Sequence, residues 1–188
     1  MSGAAAKPTV RYEDLQNLPD NVVGEIIDGE LVVSPRPGVR HAAASSSLGA
    51  DLATTFGRRG GSGPGARVIL DEPELHIAGQ VLVPDLAGWR RERLPHLPDV
   101  PFIDLAPDWI CEVLSPSTVA HDRTSKTHHY ARAGVGHLWF VDPTPETLEV
   151  YRLDGGAWRL VESVAGPVKV RAEPFEAMEL DLGNLWAR

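Results

Sequence analysis

The sequence is poor in cysteine, in long apolar runs and in positive charge, and each shortage narrows what the protein can be. It has one cysteine, Cys111, in 188 residues, so no intramolecular disulfide framework holds it, and a reducing compartment suits it. No apolar run is long enough to span a bilayer, and residues 1–8, with Lys7 and a short alanine stretch, carry no signal-peptide core. The expectation is a soluble, cytoplasmic protein with no membrane partner. Positive charge is also short: 18 Lys and Arg face 26 Asp and Glu, for a formal net charge of -8. Such a chain is not an electrostatic nucleic-acid binder over its whole surface, and a polyanion needs a local basic strip or a bound metal. The glycine-rich residues 60–65 lack the Gly-Lys-Ser/Thr ending of a phosphate-binding loop. The seven histidines match no structural zinc spacing.

What is present reads as one α+β (α/β) domain over residues 10–188, behind a disordered tail at 1–9. A chain of this length supports one domain with a real core. Residues 12–15 suggest a helical turn or two, stopped by Leu18-Pro19. Asp28-Gly29 between two β-rich runs, 22–27 and 30–33, signals a hairpin with a type I′ turn, which Ser34-Pro35 breaks. Residues 39–59 are alanine-rich with Leu48, Leu52 and Phe56 four apart, the pattern of a long helix laying one stripe on a sheet. Short strands follow at 67–70, 75–77 and 81–86. Prolines and charges carry 90–107 over the surface. Further strands are expected at 109–114, 137–141, 148–153 and 158–163, and the tail bearing Phe175, Leu180, Leu182, Leu185 and Trp186 packs as a last strand or short helix.

The stretch from Trp109 to Tyr130 holds the chemistry. Its first part is a short apolar strand with Glu112 in the middle, and a buried carboxylate is costly unless paired or coordinated. Beyond Ser115-Pro116, Asp122 is placed to cap a helix starting near Arg123 and ended by Gly134, with Lys126 in the first turn. A lysine is the wrong charge there, so tertiary chemistry selects it. Asp85 follows Pro84 at the end of an apolar strand, and if that strand neighbours the Glu112 strand the two carboxylates converge on one cation. Hard oxygen ligands favour Mg²⁺ or Mn²⁺. Such a cation polarises a phosphoryl oxygen and acidifies water. Lys126 would orient that water or, with its pKa lowered by desolvation, help deprotonate it.

Taken together, Pro84-Asp85, E-V-L-S-P-S-T at 112–118, D-R-x-x-K at 122–126, Y-A-x-A-G-V at 130–135 and W-F-V-D-P at 139–143 resemble the Uma2 family of endonuclease-like proteins. The hairpin E-I-I-D-G-E-L at 25–31 and His41 are similar to that family as well, so the resemblance spans about residues 10–160. The family is placed in the PD-(D/E)XK, restriction-endonuclease-like superfamily. This implies a mixed β-sheet flanked by helices and Mg²⁺-dependent cleavage of DNA. By resemblance Asp85 and Glu112 are the catalytic metal ligands and Lys126 the catalytic lysine. One departure stands out: the superfamily lysine is expected two positions after the glutamate, where this chain has Leu114.

Supporting roles are weighed beside plainer ones. Glu25 is a third acidic ligand or a solvated strand residue. His41 faces the site or caps the long helix. Asp122 is a helix cap that also pairs with Lys126. Tyr130, on the Lys126 face of the helix, bonds a phosphate or packs on the lysine stem. Ser115 and Ser117 donate hydrogen bonds behind the site or simply form the turn. Cys111 points away from Glu112, into the core. Arg36, Arg40, Arg58 and Arg59 are the cations placed to guide DNA, and a homodimer suits double-strand cutting. The alternative to a nuclease is a non-catalytic interaction protein on the same scaffold, whose acidic pair is a relic or binds a structural cation. A hydrolase of small phosphorylated substrates is a third reading.

Overall fold

The turn signal at Asp28-Gly29 is realised in full: both residues adopt positive φ, 54° and 77°, as a type I′ turn requires. They join β1 (Val22–Ile27) to β2 (Glu30–Pro35) in an antiparallel pair that sets Glu25 opposite Val32. The computed structural model describes residues 10–57 and 65–186. The expected tail, Arg58 and Arg59 and most of the glycine loop lie outside them. Strand β2 runs through Ser34-Pro35, where the sequence suggested a break, because it lies at a sheet edge and a proline there interrupts no ladder. The short helix α1 (Tyr12–Gln16) leads into β1, and Leu15 and Leu18 lie where a side chain at Gly24 would stand. A glycine beside Glu25 thus lets the N-terminal segment close over the strand.

Two mixed sheets make the architecture. The first has the order β2-β1-β5-β4-β7, with β4 (Glu74–Ile77), β5 (Gln80–Leu82) and β7 (Phe102–Ile103). The second has the order β11-β10-β9-β8-β6-β3. Its strands are β3 (Arg67–Asp71), β6 (Leu86–Arg90), β8 (Trp109–Val113), β9 (His137–Asp142), β10 (Thr147–Asp154) and β11 (Ala157–Ala165). A small pair, β12 (Lys169–Val170) and β13 (Leu180–Asp181), and a 3₁₀ turn at Leu182–Asn184 finish the chain. The strand expected at 81–86 divides in two. Its first half ends β5 in one sheet and its last residue begins β6 in the other. Pro84, which has no N–H for a ladder, sits at the crossing, so Asp85 lies between the sheets.

The central strands of the six-stranded sheet are buried on both faces, and strand alternation sorts their residues between two cores. On one side Trp109, Cys111, Val113, Trp139 and Val141 pack on helix α2 (Val39–Phe56) through Ala44, Leu48, Leu52 and Phe56, and on Phe175, Leu180, Leu182, Leu185 and Trp186 of the tail. Burying each large side chain of that stripe is worth about 2 kcal/mol. On the other side Ile110, Leu114, Leu138 and Phe140 meet Ile27, Leu75, Ile77 and Leu82 of the five-stranded sheet and Tyr130. Glu112 shares this second face.

Strands β8 and β9 are parallel, so a crossover must join them. It is one helical run in three parts: α3 (Val119–His121), a π-helical turn (Asp122–Lys126) and α4 (Thr127–Ala133), ended by Gly134 at φ 78°. Helix begins directly after the Ser115-Pro116 turn, so Asp122 is not a cap but an interior, buried residue, and Lys126 is not in the first turn. Lys126 therefore lies beyond the reach of the helix N-terminal dipole. The wider turn leaves carbonyls to satisfy: Thr127 Oγ1 donates to Asp122 O and Thr124 Oγ1 to Ala120 O, both at 2.5 Å. Outside, Arg123 grips Glu149 of β10 with two bonds of 2.8 and 2.9 Å, and Trp158 Nε1 donates to Thr127 O at 2.9 Å. The run is pinned to the sheet from the far side.

Candidate functional site

Asp85 lies one residue beyond the ladder pair Leu86–Cys111, toward Glu112, so the two strands are the neighbours that convergence requires. Val113 N–H donates to Asp85 Oδ2 at 2.7 Å, and His41 Nε2 stands 3.1 Å from Asp85 Oδ1. From the crossover, side chains spaced four apart turn to the same face. Lys126 Nζ lies 2.9 Å from Glu112 Oε1, 3.1 Å from Glu25 Oε1 and 3.4 Å from Asp122 Oδ1, and donates to Val83 O at 3.2 Å. Tyr130 OH donates to Glu112 Oε1 at 2.6 Å. Val83 N–H donates to Glu25 Oε1 at 2.8 Å. Glu112 and Lys126 are only 1% and 3% exposed.

These groups border a cleft of about 50 Å³ lined by Glu25, Asp85, Glu112, Asp122, Lys126 and His41, with Glu72, His121, Ser115 and Thr118 nearer its mouth. Five of the lining residues are carboxylic acids and one is a lysine. The charge excess shows in the proton affinities. Burial pushes Glu112 well above the usual carboxylate range, opposed by Lys126 and reinforced by Asp122, Asp85 and Glu25. Asp122 is raised for the same leading reason. Burial alone would lower the Lys126 ammonium, but Glu112, Glu25, Tyr130 and Asp122 outweigh it and hold the amine well above its ordinary value. Lys126 is therefore held as a cation, the opposite of the lowering expected from desolvation alone. Desolvation would also lower His41, and its contact with Asp85 raises it instead.

Among the described residues, those singled out in the sequence as supporting the site have definite places. Asp85, Glu112, Lys126, Glu25, His41 and Asp122 all line the cleft. Glu25 is buried and doubly engaged, not solvated, because its strand is covered by the crossover helix. Tyr130 reaches Glu112 but is wholly buried, so its hydroxyl meets a carboxylate in place of a phosphate. Ser115 borders the cleft and bonds Ser117 and Thr118 at 2.9 and 3.0 Å, serving chiefly the turn. Cys111 points to the opposite core, where burial raises its thiol well above the normal range. The sequence reading missed the backbone of Val83 and Val113, which anchors both the lysine and two of the acids. It also missed Glu72, which nothing in the local pattern marks.

The Uma2 family, described as "Putative restriction endonuclease", matches residues 10–183. The chain belongs to the Uma2 family. A crystal structure from Anabaena variabilis ATCC 29413, described as "a putative nuclease belonging to DUF820", superposes with a TM-score of 0.75 at 22% identity, covering 93% of this chain and 96% of that one. That likeness shows a shared, nuclease-like fold. No curated protein matches the chain. In this Uma2 protein Leu114, at the position where a strand lysine was expected, is buried in the second core, and the amine beside Glu112 comes from the crossover helix. No helix among the described residues is long and apolar enough to cross a membrane.

Proposed function

We propose that the protein is a divalent-cation-dependent endonuclease that hydrolyses DNA phosphodiester bonds in the cleft between Asp85, Glu112 and Lys126. The observation that carries this reading is the convergence of those side chains, from β8, the inter-sheet segment and the crossover helix, on one small acidic cavity. Family membership supports it.

The residues fit a hard divalent ion by their chemistry. Carboxylates outnumber cations, and a space of about 50 Å³ admits an ion or water but no nucleotide. No three or more His, Cys, Asp or Glu side chains among the described residues are grouped to hold a metal. Mg²⁺ does not require such a group, since it binds one or two carboxylates and completes its shell with waters and substrate phosphate. Asp85 and Glu112 would hold the ion. When bound it supplies Lewis-acid polarisation of the phosphodiester and acidifies water.

The chain's own residues then do the rest. Val113 N–H and His41 fix the Asp85 carboxylate. Lys126, kept protonated, has three N–H donors and four oxygens within 3.4 Å. Asp122 is the most distant of these, and a phosphate oxygen can take its place, letting the ammonium steady charge that develops in the transition state. Hydrolysis adds water across one P–O bond, the attacking oxygen joining phosphorus as the leaving oxygen departs. Arg36, which pairs with the cleft residue Glu72 at 3.6 Å, and Arg40, next to His41, are exposed and give DNA its cationic contacts. Two such contacts predict a salt dependence of binding with slope of roughly -1.4 for single strands and -1.8 for duplex.

The test is cleavage of supercoiled plasmid and single-stranded DNA with Mg²⁺, Mn²⁺ or chelator, by the wild type and by Asp85→Ala, Glu112→Ala and Lys126→Ala. Metal-dependent cutting lost in all three variants is expected. A second reading, the non-catalytic scaffold, is favoured by one feature: Lys126 already pairs with Glu25, Glu112 and Asp122 without any metal. Absence of cutting under every condition selects it.

A further inference from the structure

Resting on that reading and deepening it, we propose that Tyr130 is a positioning residue that makes Glu112 a one-oxygen ligand and so selects Mg²⁺ and Mn²⁺ over Ca²⁺. The tyrosine hydroxyl and the Lys126 ammonium both converge on Oε1 of Glu112, at 2.6 and 2.9 Å. This leaves Oε2 as the oxygen for an ion. Asp85 differs, each of its oxygens having a partner, Oδ2 the Val113 N–H and Oδ1 the His41 ring. Ca²⁺ takes carboxylates with one oxygen or with both in a large, flexible shell, whereas Mg²⁺ demands a tight octahedron of single-oxygen ligands. A carboxylate whose one oxygen is doubly hydrogen-bonded keeps the single-oxygen mode that the second ion needs and denies the first its two-oxygen mode.

The phenol suits this task better than Lys126 does, because its placement is independent of the acidic cluster's charge. The Tyr130 ring is fully buried in the core with Leu138 and Phe140, so packing fixes where its hydroxyl points. The π-helical turn just before it sets Asp122, Lys126 and Tyr130 along one side of the run. Hydrogen bonds of this kind, made to a ligand and not to the metal, carry 10–100-fold of metal affinity in other sites.

Calorimetric titration of the whole protein with Mn²⁺ and with Ca²⁺ tests this without reference to cleavage. Wild type, Asp85→Ala and Tyr130→Phe are compared, with circular dichroism to establish that each is folded. The wild type should bind Mn²⁺ more tightly than Ca²⁺, and Asp85→Ala should bind neither well. Tyr130→Phe should weaken Mn²⁺ by about 10-fold while Ca²⁺ holds or gains, so that the selectivity ratio falls. An unchanged ratio, including equal weakening of both ions, would overturn the positioning role while leaving the nuclease reading intact. No Mn²⁺ binding by the wild type removes the metal reading and this inference together. Should Tyr130→Phe not fold, the wild type still decides: Ca²⁺ binding as tight as Mn²⁺ contradicts one-oxygen ligation.

Discussion

Strand β8 faces two interiors that differ in kind although the strand itself is buried on both. On one side Trp109, Cys111 and Val113 enter an uninterrupted apolar core with α2 and the C-terminal tail. On the other, Glu112 stands between Ile110 and Leu114 and meets Lys126 and Tyr130. The first interior stabilises the fold chiefly through packing, with Trp139 and Trp186 donating to the carbonyls of Glu173 and Gly166. The second sets a cluster of charges in low dielectric, where each is tolerated only because the others are there. A single fully buried strand thus separates what holds the molecule together from what it is equipped to do.

The largest loss is expected on the polar side. Lys126→Ala should strand Glu25, Glu112 and Asp122 without their cation and lower the unfolding free energy by roughly 3–5 kcal/mol in urea titration at neutral pH. On the apolar side, Leu48→Ala should cost roughly 2–5 kcal/mol. That loss should leave the cleft's residues paired, so DNA cleavage under conditions where the variant is folded should persist. Loss of cleavage in a folded Leu48→Ala protein would mean the two interiors are not separable.

A subtler difference lies in pH. Glu112 has its folded pKa raised by burial. The native state therefore holds that proton more firmly than the unfolded chain, where a glutamate titrates near about 4.3. Its stabilising contribution is complete below that value and is lost as pH rises through the elevated folded value. Lys126, also raised, acts in the same sense at the alkaline end: its contribution is complete below about 10.4 and lost as pH climbs through its folded value. Glu112→Gln cannot titrate, so its stability relative to wild type should improve steadily as pH increases from about 4.3. Parallel curves from denaturant melts at several pH values would contradict the assignment. The smallest effect is expected at Cys111, which should resist thiol reagents in the native protein at neutral pH and react only on unfolding.

Much of this was legible in the sequence because local rules and tertiary demands agreed. Asp28-Gly29 specified its turn, the four-residue spacing of Leu48, Leu52 and Phe56 specified the α2 stripe, and alternation placed Cys111 and Glu112 on opposite faces. The errors arose where tertiary structure overrode local signals. Asp122 looks like a cap, but the helix starts at Val119 and carries it inside, where Lys126 is its partner. Glu25 sits in a hairpin that ordinarily faces solvent, and only the covering crossover buries it. The division of 81–86 between two sheets hinges on Pro84, whose meaning depends on which strands lie beside it. The anchoring backbone groups of Val83 and Val113 carry no side-chain signature, so no sequence pattern reports them.

The most direct test of the polar face as a reaction centre is the Mg²⁺-dependent rate at which Asp85→Asn cuts single-stranded DNA and plasmid, measured beside its melting temperature. The substitution keeps the shape of the side chain and removes its charge. A protein that melts close to the wild type and cuts at least about 100-fold more slowly is the predicted result. A folded Asp85→Asn protein that cuts as fast as the wild type would contradict the account.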